Sequence, residues 1–145
     1  MTEVKRFYET FHPEHYDIYL DISREKKIFH GKTVVIGEAQ EELVKLNQKY
    51  LKITSVRVDQ KKADFNYNDK DEVINIEAGK VGKMKIEVDF EGKLTDTMMG
   101  IYPSYYEVDG EKKQLIGTQF ETTFARQAFP CVDEPEAKAT FALAI

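Results

Sequence analysis

The sequence predicts an all-β domain of antiparallel sheets, packed as a sandwich or curved, saddle-like layer with at most short helical turns. Three observations predict it: sustained two-residue alternation of apolar and polar side chains, turn residues between the alternating stretches, and little helical periodicity. Tyr16, Ile18, Leu20 and Ile22 share one face, with Asp17, Tyr19 and Asp21 on the other. Met84, Ile86, Val88 and Phe90 alternate in the same way with Lys85, Glu87, Asp89 and Glu91. Each stretch reads as a strand with one buried and one wet face.

Shorter candidate strands run over 32–39, 51–58, 73–77, 102–108, 113–119 and 140–145. Turns are expected at Gly31, over 66–69, at Gly79 with Gly82, and at Asp109-Gly110, where two residues that tolerate positive φ suit a type I′ hairpin. Helical turns are expected only over 41–48 and 123–129; Pro130 and Pro135 bracket a stretch too short for a stable helix. There is no internal repeat, low-complexity tract or linker. The alternation over 140–145 reaches the apolar Ile145 with no turn or polar tail, so the chain is expected to be cut, on its C-terminal side, from a longer protein.

The 145 residues fit one domain, with 41% hydrophobic and 32% charged side chains. Against 26 acidic residues stand 21 basic ones, a net charge of -5. That balance offers no basic footprint, and neither nucleic acid nor a membrane is expected as a partner. Apolar runs are too short to span a bilayer, and Met1 to Arg6 lacks the apolar stretch of a secretory signal. The single cysteine, Cys131, has no internal disulfide partner, which favours a reducing, cytoplasmic setting.

His12 and His15 invite a metal reading, but Pro13 argues against a helix that would bring them together and no third ligand is near in sequence. They are read as polar residues opening the first strand. Cys131 has no histidine after His30 to act as a base, and reads as a buried apolar thiol. The dense segment is 117–145. In a strand Gln119 and Glu121 point to one side and Phe120 to the other. A carboxylate and an amide so placed suit an ammonium group. They equally suit an ordinary solvated face, which the residues alone favour.

This segment resembles the aminopeptidase N family of zinc metallopeptidases, whose pattern is roughly T-Q-F-E-x-T-x-A-R-x-A-F-P-C-x-D-E-P-x-x-K-A-x-F. The match runs ungapped from Thr118 to Phe141 and includes Gln119, Phe120, Glu121, Arg126, Phe129, Pro130, Cys131, Asp133, Glu134, Pro135, Lys138 and Phe141. Upstream, Pro13 to Ile18 is similar to the opening P-x-H-Y-D-L strand, Phe29-His30-Gly31 to an F-x-G turn, and Phe90 to Leu94 to F-x-G-x-L. Met99 to Ser104 resembles the G-F-Y-x-S element. Phe124 stands where many members of the family have Asp, Val132 replaces a larger residue and Ile101 an aromatic or Leu, none of them at a position with a catalytic role in the family.

The resemblance implies the N-terminal β-domain, residues 1–145, of a larger zinc aminopeptidase that removes N-terminal residues from peptides. The family's H-E-x-x-H zinc helix and G-x-M-E-N loop do not occur in this sequence. Both are implied to lie downstream, in a thermolysin-like catalytic domain. The zinc ligands are therefore expected outside this chain, which supplies no metal ligand and no catalytic residue and is expected to be inactive alone. Its implied partners are the N-terminus of a peptide substrate and its own catalytic domain; without the latter, self-association is expected. By resemblance Glu121 binds the free α-ammonium and Gln119 lines the same pocket, while Arg126, Asp133 and Glu134 fix the loop presenting Glu121. Two other readings stand beside this one: a non-enzymatic β-sandwich that binds protein or carbohydrate, and a family member with a decayed catalytic domain.

Overall fold

The computed structural model describes residues 6–94, 100–121 and 123–145; Met1 to Lys5, Met99 in the expected Gly-Ile-Tyr element, and Thr122 in the long motif lie outside the described residues. After one α-helical turn at Phe7–Thr10, eleven strands follow among the described residues: β1 (Phe11–Ser23), β2 (Ile28–Ala39), β3 (Leu43–Asn47), β4 (Lys52–Val58), β5 (Lys61–Lys62), β6 (Phe65–Asn68), β7 (Val73–Glu77), β8 (Gly82–Lys93), β9 (Gly100–Val108), β10 (Glu111–Gln119) and β11 (Thr140–Ala144). They form a six-stranded sheet in the order β11-β1-β2-β8-β4-β5, a three-stranded sheet β3-β7-β6 and a ribbon β9-β10. All pairs are antiparallel except β1–β11, which runs parallel. The all-β class holds, with sheets layered as a sandwich around one core.

The core follows from the alternation. Met84, Ile86, Val88 and Phe90 of β8 are buried, and so are Val44 and Leu46 of β3 and Ile74 and Ile76 of β7, all in one cluster. Two bulges keep that face continuous. In β1 the register skips Glu14, so Phe11 and Pro13 are buried on odd numbers but Tyr16 and Ile18 on even ones. In β4 the register skips Thr54, which lets Ile53, Val56 and Val58 all turn inward. Each extra residue resets the two-residue period.

Three local expectations are corrected. Residues 41–48 do not form a helical turn: Leu43–Asn47 is β3, paired with β7, because Val44 and Leu46 bury against the core only at a two-residue period. Residues 66–69 do not form a turn either, since Phe65–Asn68 is β6 and the reversal comes after it.

Nor is Gly31 a turn. It lies inside β2, opposite Phe90, while Phe29 lies opposite Gly92. A Cβ on Gly31 would meet the Phe90 ring at 2.4 Å, and one on Gly92 the Phe29 ring at 2.2 Å. The two F-x-G elements are thus one device: each ring covers the other strand's glycine, and the rings meet edge to face at 6.4 Å. The turn at Asp109-Gly110 forms with φ of 52° and 79°, as a type I′ hairpin requires.

Candidate functional site

The β9–β10 ribbon leaves the core early. Ile101 and Pro103 are buried at its root, while residues 104–113 are all exposed. Its return strand ends at Gln119, paired with Gly100, and Glu121 lies in the turn just beyond. Both side chains are exposed, and Phe120 between them is half-buried against Phe129, ring centroids 5.8 Å apart at 84°. The Phe124 N–H donates to the Phe120 carbonyl at 3.0 Å, which closes the turn carrying Glu121. Gly100 has φ of 70°, and a Cβ there would stand 3.0 Å from Cβ of Gln127. The ribbon root and the segment after Glu121 therefore meet where only glycine fits.

That following segment is fixed by polar contacts. A short 3₁₀ turn, Ala125–Gln127, carries Arg126, whose side chain is 11% exposed. Its Nε donates to Oδ2 of Asp133 at 3.0 Å and its Nη2 to the Asp133 carbonyl at 3.1 Å, while its Nη1 lies 3.4 Å from Oε2 of Glu72. The planar guanidinium fork is suited to such multiple contacts. Asp133 donates its N–H to Oδ1 of Asn47 at 2.9 Å, and Asn47 and Cys131 exchange backbone hydrogen bonds of 2.7 and 3.2 Å. The Val132 N–H donates to the Tyr16 hydroxyl at 3.1 Å. The Glu134 carboxylate accepts the N–H groups of Phe7 and Tyr8 at 3.1 and 2.7 Å, tying the first helical turn to the motif. Among the described residues, Arg126, Asp133 and Glu134 make their hydrogen bonds and ion pairs with groups other than Glu121; they hold the backbone that follows it.

Cys131 is buried, and burial pushes its thiol well above the ordinary value, with the Asp133 charge adding to the shift. Burial likewise raises the Tyr16 phenol. His15 is engaged at both nitrogens, 2.6 Å from Oγ1 of Thr140 and 3.1 Å from Oδ1 of Asp17. His12 packs on the Tyr8 ring with centroids 4.0 Å apart. Among the described residues no three His, Cys, Asp or Glu side chains converge on one point where a metal ion could be held. No helix among them is long and apolar enough to cross a membrane.

Sequence reasoning missed Asn47, Lys49 and Glu72. Each belongs to the network around Arg126, but each comes from a loop or strand end far away in sequence, with no motif to mark it. Glu72 sits at φ of 54° after β6, bonded through Oε1 to Lys49 at 3.1 Å. That hydrogen bond, with the nearby carboxylate charge, raises the Lys49 ammonium above the usual lysine value.

Residues 12–145 match the family described as the Peptidase M1 N-terminal domain. Aminopeptidase N of Lactobacillus delbrueckii subsp. lactis is 63% identical over 142 residues, 98% of this chain and 17% of that protein. Aminopeptidase N of Lactococcus lactis subsp. cremoris is 52% identical over 142 residues, again 98% and 17%. A leucyl aminopeptidase of Saccharolobus solfataricus is 37% identical over 131 residues, 90% of this chain and 16% of that protein. The chain thus spans about a sixth of the length of the relatives it matches.

Proposed function

This chain belongs to the Peptidase M1 N-terminal domain family, and from that premise we propose that it is the substrate-recognition domain of a zinc-dependent aminopeptidase, in which Glu121 receives the free α-ammonium of a peptide and Gln119 orients it. One observation supports this reading above the rest. A carboxylate and an amide stand exposed at the end of β10, on a turn held by Phe120, Phe129 and the Arg126 network. An ammonium anchored at a fixed carboxylate acts as a ruler: it leaves only the first peptide bond over the reacting centre, so cleavage is exo rather than endo.

The zinc and the catalytic groups belong to the polypeptide beyond this chain, as its length relative to the aminopeptidases suggests. The exposed apolar side chains Leu143 and Ile145, which with Leu20, Ile116 and Phe120 line a cleft of about 400 Å³, form the surface on which that catalytic domain seats. In isolation the chain self-associates through the same surface or through the free edge of β11. The parent enzyme works in the cytoplasm. The isolated chain hydrolyses no aminoacyl-p-nitroanilide even with added zinc.

The test is Glu121→Ala in the full-length enzyme. Losing one member of a desolvated charge pair costs about 2–5 kcal/mol, so kcat/KM falls by roughly 30- to several-thousand-fold with zinc content unchanged. Gln119→Ala, which removes a neutral contact, costs less. Unchanged turnover by Glu121→Ala defeats the reading.

A further inference from the structure

We propose that Glu72, on the loop between β6 and β7 and 54 residues from Arg126 in sequence, is a positioning residue for the substrate-amine site at Glu121; the inference rests on the function proposed above. Three features single it out. Glu72 holds φ of 54°, a left-handed backbone that a non-glycine residue adopts at a cost. In that conformation every acceptor it owns is used across the fold. Its carbonyl accepts the Gln48 N–H at 3.1 Å and the Asn47 side-chain amide at 3.4 Å. Its carboxylate divides between Lys49 at 3.1 Å and Arg126 at 3.4 Å. The Lys49 N–H in turn donates to the Arg126 carbonyl at 3.1 Å, so the backbone of Arg126 is held from the β3–β4 loop and its side chain from the β6–β7 loop, which the Glu72–Lys49 ion pair ties together.

From Arg126 the constraint reaches Glu121 by two short routes. Gln127, next in the same 3₁₀ turn, closes against Gly100, the strand partner of Gln119. Phe129, whose N–H donates to the Ala125 carbonyl at 3.0 Å, packs on Phe120. Phe120, which precedes Glu121, and Gly100, the strand partner of Gln119, thus both rest on the segment that Arg126 anchors. Asp133 alone neutralises one side of the guanidinium; Glu72 supplies the second carboxylate and thereby fixes the fork in one orientation. Without it Arg126 keeps its contacts to Asp133 but loses its tie to the β6–β7 loop, and the turn bearing Glu121 loosens.

A merely structural glutamate lowers stability and affects catalysis by the same factor in any background. A residue acting through Glu121 does not, because groups in one network couple. The experiment is a double-mutant cycle in the full-length enzyme with Glu72→Gln, Glu121→Ala and the pair, on a free-amine aminoacyl-p-nitroanilide. Glu72→Gln alone is expected to lower kcat/KM by about 3- to 30-fold, mainly through a higher KM, the range for coupled contacts in one network. In the Glu121→Ala background the same change is expected to cost less than about twofold. Glu72→Asp, which keeps the charge on a shorter arm, is expected to recover part of the loss. Equal factors in both backgrounds, or an unchanged kcat/KM for Glu72→Gln, overturn the proposal. A silent Glu121→Ala removes the amine site itself, and this inference falls with it.

Discussion

Replacing Arg126 with methionine keeps the apolar stem of the side chain and removes the fork. The guanidinium is 11% exposed and the Asp133 carboxylate 12%, so solvent screens the pair little. After the change Asp133 is left with a buried charge and loses the Nε donor, and its carbonyl loses Nη2. Breaking one side of a buried ion pair costs about 3–5 kcal/mol, because the remaining charge is uncompensated. For a domain of this size about 3–4 °C of Tm accompany each kcal/mol, a fall of roughly 10–20 °C. Arg126→Lys retains the charge without the planar fork and is expected to lose about 1–3 kcal/mol. The comparison is Arg57→Met on the wet face of the large sheet. Arg57 is 45% exposed and its carboxylate partners stand 3.8 and 3.7 Å away, so screening leaves under ~1 kcal/mol. Urea unfolding of the three variants measures the free energies, and thermal unfolding measures the shift in Tm. If Arg126→Met and Arg57→Met lie within about 1 kcal/mol of each other, the network around Arg126 does not fix the motif and the reasoning fails.

Tyr16→Phe leaves the buried Val132 N–H without its acceptor and is expected to cost about 1–3 kcal/mol by urea unfolding, against near zero if the hydroxyl is idle. Gly31→Ala and Gly92→Ala each force a methyl into a core phenylalanine ring, with an expected loss of about 1–3 kcal/mol; a neutral effect means the rings move freely. Cys131, enclosed and with its thiolate disfavoured, is expected to resist iodoacetamide at neutral pH in the native chain and to label fully in denaturant. Rapid native labelling contradicts its placement.

The sequence made β8 and the Asp109-Gly110 hairpin legible because both are local: one is an unbroken two-residue period, the other a pair of residues that accept positive φ. β3 was misread because Glu41 to Gln48 carries good helix formers and only its pairing with β7 imposes the strand. Gly31 looked like a turn for a similar reason, since its partner is a ring 59 positions later and nothing near it in sequence reveals that approach. The bulges at Glu14 and Thr54 hide in the same way: each shifts the apolar pattern by one residue, which the eye takes for an end of the strand. At the candidate site Gln119 and Glu121 are singled out by motif resemblance alone, whereas Glu72 is invisible in the sequence because its contact with Arg126 exists only in the folded chain. The parallel course of β11 beside β1 was equally out of reach, because alternation gives a strand's faces and not its direction.

The central claim is that Glu121 reads the substrate's free amine. The most direct measurement is the full-length enzyme's discrimination between a free-amine peptide and the same peptide with its α-amino group replaced by hydrogen, taken as the ratio of kcat/KM values for wild type and for Glu121→Gln. An amide keeps the shape of the side chain and loses its charge, so the selective loss is expected on the free-amine peptide alone. The account predicts that the ratio collapses by roughly 30-fold or more, the equivalent of about 2 kcal/mol or above for one desolvated charge pair, while turnover of the des-amino peptide stays near its wild-type value. A ratio unchanged by Glu121→Gln contradicts the account and places amine recognition elsewhere in the enzyme.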